Sequence, residues 1–313
     1  MSNKVWVLGD AVVDLIPQDQ HTYLKCPGGA PANVAVAVAR LGSTSAFIGR
    51  VGNDPLGHFM KRVLEEEQVD TRHMLLDPLH RTSTVLVDLN DEGERSFHFL
   101  VNPSADQFLC PHDLPAFSAG EWLHLCSIAL INEPARGAAF AAMRQIRAAG
   151  GWISFDPNLR LALWPADVDW RAVVLEAMAL ADLIKLSEEE AMLIGQCDDP
   201  GAGVAALRQC INCAHILVTL GERGTDWYHD GICQRIASQP VKPVDTTGAG
   251  DAFVGGLLGA LAKVPNWQDL GVMARAIALA NACGALATTA KGAMTALPTQ
   301  QQLAGFLTDG AGR

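Results

Sequence analysis

The chain has 313 residues, a length that suits one large α/β unit, and its 49% hydrophobic and 18% charged composition supports a sizeable core and excludes wholesale disorder. With 34 acidic against 23 basic residues the net charge is −11, which argues against a nucleic-acid partner and leaves any bound anion to local donors. The N-terminal residues lack the long apolar stretch of a signal peptide. The apolar run over 276–290, interrupted by Asn281, reads as too short for a membrane span, so no membrane partner is expected. Eight scattered cysteines form no disulfide framework and read as reduced thiols of a cytoplasmic protein, with the lone Cys210–Cys213 spacing a matter of chance.

In chain order, Val5 to Gly9 reads as a buried strand ending on a polar turn. Val12 to Pro17 and Thr22 to Lys25 form a weak hairpin around Gln18-Asp19-Gln20. Asn33 to Leu41 reads as a small-residue helix, Ser45 to Gly49 as a strand, and Phe59 to Gln68 as a helix. Thr82 to Leu89 and Glu94 to Leu100 alternate with period two around Asn90-Asp91-Glu92-Gly93, a hairpin signal. Buried strands follow at Trp122–Cys126, Trp152–Phe155, Leu183–Leu186 and Ile216–Leu220, with alanine-rich helices such as Ala138–Ala149 and Ala172–Ala181 between them. This alternation predicts a mainly parallel sheet covered on both faces, with ligands at the carboxyl ends of its strands. The segments from about 12–25 and 82–100 predict a small separate β-sheet, whose apolar face needs a cleft or a second subunit to cover it. No repeat or linker divides residues 1–313, so one domain is expected.

Several segments can carry chemistry. Gly28-Gly29-Ala30-Pro31-Ala32-Asn33, with Asp10 and Asp14 nearby, offers donors and acceptors for a polyol; the plainer reading is a tight turn with Asn33 as helix cap. Asp156-Pro157-Asn158-Leu159-Arg160 follows a strand at its ligand-binding end, or is a turn with a solvated arginine. Ser187-Glu188-Glu189-Glu190 reads first as an N-capped helix with acids in its first turn, although one glutamate could organise water around a metal. Thr219-Leu220-Gly221-Glu222-Arg223-Gly224 is a strand running into a glycine loop that could lie against a nucleotide. The most informative stretch is Asp245-Thr246-Thr247-Gly248-Ala249-Gly250-Asp251-Ala252-Phe253. Its glycines leave backbone N–H groups bare at the start of a helical run to Leu261, an anion-binding arrangement. Asp251 would repel a resting phosphate there. It makes sense as a base that takes a hydroxyl proton while a phosphoryl group is transferred beside it, and it can do so with an ordinary low pKa. The P-loop and protein-kinase signatures are absent, and Gly201-Ala202-Gly203 lacks the preceding strand that a dinucleotide fingerprint requires.

Taken together, Gly28-Gly29 with Asn33 and the Asp245–Asp251 segment resemble the two signatures of the ribokinase-like (PfkB) sugar kinases, over essentially the whole chain. Phe47-Ile48-Gly49-Arg50-Val51-Gly52 and Asp156–Arg160 with Leu163-Trp164-Pro165 look most like the bacterial and plant fructokinases of that family. The resemblance implies a three-layer α/β/α fold with a mainly parallel central sheet and a small β-sheet lid, often used to form a homodimer. It implies ATP-dependent phosphorylation of a ketohexose, D-fructose to fructose 6-phosphate, with Asp251 as base and Gly248, Ala249 and Gly250 as anion hole. Asp10, Gly28, Gly29, Asn33, Phe97, Phe99 and Arg160 match sugar-contacting or lid positions. Thr219, Gly221, Gly224, Asn158 and Asn281 match the nucleotide side. Asp245, Thr247, Ala287, Ala290 and Gly292 resemble a potassium site. Glu190 matches the acid that organises Mg2+ through water, while Ser187 departs from the asparagine usual there. Related substrates (ribose, a nucleoside, 2-keto-3-deoxygluconate, an aminoimidazole riboside) and a non-catalytic sugar-binding regulator are the rival readings.

Overall fold

The computed structural model describes residues 2–89 and 95–310. Strands β1 (Val5–Leu8), β2 (Val12–Pro17) and β3 (Tyr23–Gly28) lead into helix α1 (Ala30–Arg40), followed by β4 (Ser45–Gly52), α2 (Pro55–Glu66), β5 (Asp70–Asp77), β6 (Thr84–Leu89) and β7 (Arg95–Phe99). Next come β8 (Trp122–Cys126), α3 (Ala135–Ala148), β9 (Trp152–Asp156), α4 (Trp170–Leu180), β10 (Leu183–Ser187), α5 (Glu188–Gly195), α6 (Pro200–Cys210) and β11 (His215–Thr219). The chain closes with β12 (Thr225–His229), β13 (Ile232–Ile236), α7 (Ala249–Leu261), α8 (Leu270–Ala287) and α9 (Gln300–Gly310).

Nine strands form one sheet in the order β13-β12-β11-β10-β9-β8-β1-β4-β5. It is parallel from β11 to β5 and antiparallel only at the β12–β13 edge. Helices cover both faces, so central strands are apolar on both sides and successive residues of β1 enter different cores. Val5 and Val7 join α1, α7 and α8, whereas Trp6 and Leu8 join the side carrying α3 to α6. A separate four-stranded sheet, β3-β2-β6-β7, is the lid; β2 pairs antiparallel with β3 and parallel with β6. The turn expected at 90–93 lies outside the described residues, but its flanking strands pair antiparallel as their alternation requires.

Three strands were not legible in the sequence. β5 is a polar edge strand, β13 is largely exposed, and β12 reaches the sheet only through a tight reversal after β11. Helix α1 starts at Ala30, earlier than expected, because Gly29 serves as its N-cap and Pro31 fits the first turn. The C-terminal apolar run also differs from expectation. α8 has 18 residues and is long and apolar enough to span a bilayer by composition, yet it is a core helix with Met273, Ile277, Ala280 and Cys283 buried against its neighbours.

Candidate active site

The N-terminus of α7 is shaped by Gly248. Its φ of 79° and the 2.9 Å that would separate a Cβ from Ala293 Cα admit only glycine without strain. Gly250 differs, because a Cβ there would meet only Lys185 Nζ, at an ordinary contact distance of 3.4 Å. The Ala249 amide donates to the Thr246 carbonyl at 3.2 Å, so of the three expected anion-hole groups it is the one already occupied.

Asp251 lies in the first turn of α7 and accepts a 2.7 Å hydrogen bond from Asn33 Nδ2 on α1. Asn33 is therefore not the cap of its helix, and its Oδ1 is buried without a partner. One turn further along each helix, Gly255 lies against Ala37 so closely that any side chain would collide. Residues four apart share a helix face, so the polar pair and the steric contact are successive rungs between the same two helices. On the other flank, a Cβ on Gly256 would come within 2.7 Å of Cys283 Sγ on α8.

The electrostatics of Asp251 correct the expectation of an ordinary carboxyl. Burial, together with the Asp156 carboxylate, pushes its pKa up to about 6, although Asn33, Lys185 and Arg160 favour the charged form. Behind it, Lys185 Nζ and Asp156 Oδ2 form a buried ion pair at 2.9 Å. Burial works against the lysine's charge, but Asp156, Glu190 and Asp251 outweigh it and hold the ammonium above its usual range. Asp10, 7% exposed at the end of β1, is pushed up to about 7, first by burial and then by the Asp106 carboxylate.

These groups border a cavity of about 610 Å³ lined by Asp10, Asn33, Asp156, Arg160, Lys185 and Asp251. Gly29 and Phe99 border it too. Gly29 has φ 95°, and a Cβ would come within 2.9 Å of the Asp10 carbonyl. Gly28 does not line the cavity; its missing side chain leaves space for the Asp14 carboxylate. Asn158, expected on the nucleotide side, opens onto this cavity instead. Phe97 pairs with Val87 in the lid ladder, and its side chain is outside the described set.

A second cavity of about 600 Å³ is lined by Thr219, Gly221, Gly224 and Asn281 from the expected nucleotide loop and α8. Segment 238–243, with Ser238, Pro240 and Pro243, forms another wall that sequence reasoning missed, although two closely spaced prolines between a strand and the glycine turn were a signal. Asn281 is spent on the wall itself: it accepts from Thr225 Oγ1 at 2.7 Å and donates to the Ile236 carbonyl at 2.9 Å. Gly250 borders both cavities, so the two compartments meet at the start of α7.

Ser187 and Glu190 line neither cavity and realise the helix-cap reading. Ser187 Oγ accepts from the Glu190 amide at 3.1 Å, while the Glu190 oxygens accept from the Ser187 and Leu159 amides at 2.9 and 2.8 Å. The segments expected to hold a monovalent cation do come together. Asp245 accepts from Thr247 and from the Gly292 amide at 2.9 Å, and Thr288, just past Ala287, accepts from the Val244 amide. Ala290 lies between Thr288 and Gly292 on that loop. Gly201 and Gly203 are inside α6, not on a loop after a strand, so the dinucleotide fingerprint has no structural basis.

Sequence reasoning overlooked Lys185, although a lone charge within Leu183-Ile184-Lys185-Leu186 was the signal: a buried cation needs a partner, and Asp156 is it. It also overlooked Asp106, which no local pattern marks.

Residues 2–300 match the model of the pfkB family carbohydrate kinases. A fructokinase of Klebsiella pneumoniae is 56% identical over 303 residues, covering 97% of this chain and 99% of that protein. The crystal structure of fructokinase from Vibrio cholerae O395 with fructose, ADP and calcium ion bound aligns with a TM-score of 0.93 at 54% identity, covering 98% of this chain and 99% of that one. A double mutant of the same Vibrio cholerae enzyme, with fructose, ADP and potassium ion bound, aligns with a TM-score of 0.93 at 53% identity and 98% coverage of both chains. With a family match over nearly its full length and relatives above half identity, the chain belongs to the pfkB family of carbohydrate kinases.

Proposed function

We propose that this chain is a fructokinase, transferring the γ-phosphoryl group of ATP to the 6-hydroxyl of D-fructose. The observation that carries the reading is the junction at α7: Gly250 borders both cavities, and the next residue is a buried carboxylate. The choice of fructose is supported by the relatives, one of which binds fructose and ADP.

In this mechanism Asp10, Asn33 and Arg160 hold the sugar, and the 6-hydroxyl faces Asp251. As the hydroxyl oxygen bonds to the γ-phosphorus, its proton passes to the Asp251 carboxylate and the bond from the γ-phosphorus to the bridging oxygen breaks, releasing ADP. The transition state is loose, so alignment and charge stabilisation contribute more than base strength. The Gly248 and Gly250 amides and the positive end of α7 meet the charge on the transferring group, with Lys185 nearby. The α7 pair on α1 fixes the base relative to Asn33, and lid closure over Phe99 excludes water. Magnesium bound with ATP supplies charge neutralisation. Glu190 matches the acid that would hold it through water only by resemblance: it lines neither cavity and both its oxygens accept backbone amides, so its placement does not fit that role. The Asp245, Thr247 and 287–292 segments offer the oxygen-rich loop that a potassium ion needs. Exposed Tyr23 and Leu24 on β3 give the lid an apolar edge for a second copy, and a cytoplasmic location suits the free cysteines.

Coupled measurement of ADP release with fructose, ribose, a nucleoside, aminoimidazole riboside and 2-keto-3-deoxygluconate tests the reading. Fructose is expected to give the highest kcat/KM. No turnover with any of them, alongside measurable fructose binding, would instead favour a sugar-binding regulator.

A further inference from the structure

The segment after lid strand β7 places a second acid beside Asp10. Asp106 sits in a short 3-10 turn over Ala105–Phe108, anchored by the Ala105 amide donating to the Arg81 carbonyl at 2.8 Å and flanked by buried Ser104 and Ala105. Asp10 Oδ1 and Asp106 Oδ1 are both buried and both lack a hydrogen-bond partner. They line one small enclosed space of about 10 Å³, room for about a single water, together with Gln107 and Asn132. They also line a larger cavity of about 760 Å³ between the lid, the 128–133 segment and Ala162–Pro165. Asp10 borders this cavity and the one containing Asp251, whereas Asp106 borders only the former and Asp251 only the latter.

Two carboxyls lining one small buried space carry an electrostatic cost. Burial pushes Asp106 upward despite its bond from Ser104, and Asp106 is the strongest neighbouring charge pushing Asp10 upward. A residue serving packing alone would be better as an amide or an apolar side chain. Sugar hydroxyls are the donors that such acceptors lack, and a polyol anchored at Asp10 with its reacting hydroxyl at Asp251 extends its other end towards Asp106. On the fructokinase reading, we propose that Asp106 is a substrate-binding residue that, with Asp10, accepts hydrogen bonds from the hydroxyls at the end of the sugar remote from the phosphorylated one.

The test compares wild type, Asp106→Leu and Asp106→Asn in full kinetics, with fructose binding measured by calorimetry and melting temperature by scanning. Wild-type turnover of fructose is required first; its absence refutes the fructokinase reading and leaves the two outcomes distinguishable. The expected result is a rise in fructose KM and Kd of at least tenfold for Asp106→Leu and about fivefold for Asp106→Asn. Alongside it, kcat and ATP KM stay within threefold and the melting temperature does not fall, since a repelling acid has been removed. In addition, 1-deoxy-D-fructose or 2,5-anhydro-D-mannitol, which lack hydroxyls at the remote end, should lose affinity in wild type and lose less in Asp106→Leu. A folded Asp106→Leu with fructose KM within twofold of wild type would overturn the proposal. If that variant does not fold, an Asp106→Asn protein with unchanged KM overturns it equally.

Discussion

The two cavities that meet at Gly250 are built on opposite principles. On the sugar side, Asp10, Asn33 and Asp156 each carry a buried polar atom without a partner, and Asp10 and Asp251 are held well above their ordinary pKa. Among the described residues no such atom lines the nucleotide cavity, where Asn281 is saturated by Thr225 and Ile236 and the walls are largely apolar. One half stores an electrostatic cost that a ligand with the right hydroxyls relieves, so it discriminates sharply. The other half is already satisfied and recognises its ligand by shape and backbone groups. Stability and affinity should therefore trade against each other on the first side and rise or fall together on the second.

The largest effect expected is from Asp251→Asn. Turnover should drop by roughly 10²–10⁴, as loss of a general base implies, while fructose and ADP still bind and the melting temperature holds or rises. A variant keeping a substantial fraction of wild-type kcat would remove Asp251 from its role. Gly250→Val fills the junction without straining the backbone, so kcat should fall about 10²–10³ with little change in stability. Gly248→Ala, in contrast, should cost about 1–3 kcal/mol of stability through strain and the Ala293 clash. Lys185→Met leaves Asp156 buried and unpaired and should destabilise by about 3–5 kcal/mol in denaturant titrations, an exception to the trade on the sugar side because it removes a charge that others need.

The pH dependence follows from the raised acids. Below about pH 6 a growing fraction of Asp251 is protonated, so kcat/KM should fall towards tenfold per unit of pH, and a flat profile down to pH 5 would contradict the assignment. Stability runs the other way. Folded Asp251 and Asp10 keep protons that the unfolded chain releases near pH 4, so their contribution is complete below that pH and is lost as pH rises through about 6 and 7. The smallest effect belongs to Asn281→Ala, which should raise ATP KM a few-fold and lower stability by about 1–3 kcal/mol through its orphaned partners.

What the sequence revealed and what it hid divide along physical lines. The buried parallel strands and the lid alternation could be read because both faces of a central strand, or one face of a half-covered one, impose a pattern on neighbouring residues. The glycine turn and the acid at the start of α7 could be read because helix-terminus chemistry is local. The pKa of Asp251 could not, because it is set by Asp156, Lys185 and Arg160, which are distant in sequence. Asp106 escaped for the same reason: its meaning comes from Asp10, nearly a hundred positions earlier. Edge strands β5 and β13 are polar enough to look like loops, and Asn33 looked like a cap because its partner Asp251 is 218 residues away.

The two rungs between α1 and α7 also set how the protein should respond to heat. Because Gly255 is seated on Ala37 directly beneath the Asn33–Asp251 bond, the spacing of Asn33 and Asp251 is a property of the core, and no loop contributes to it. Warming that loosens the lid would erode substrate capture long before it disturbs that spacing. As temperature climbs, KM for the sugar should drift upward while kcat keeps its ordinary Arrhenius rise, until both collapse together when the helices part.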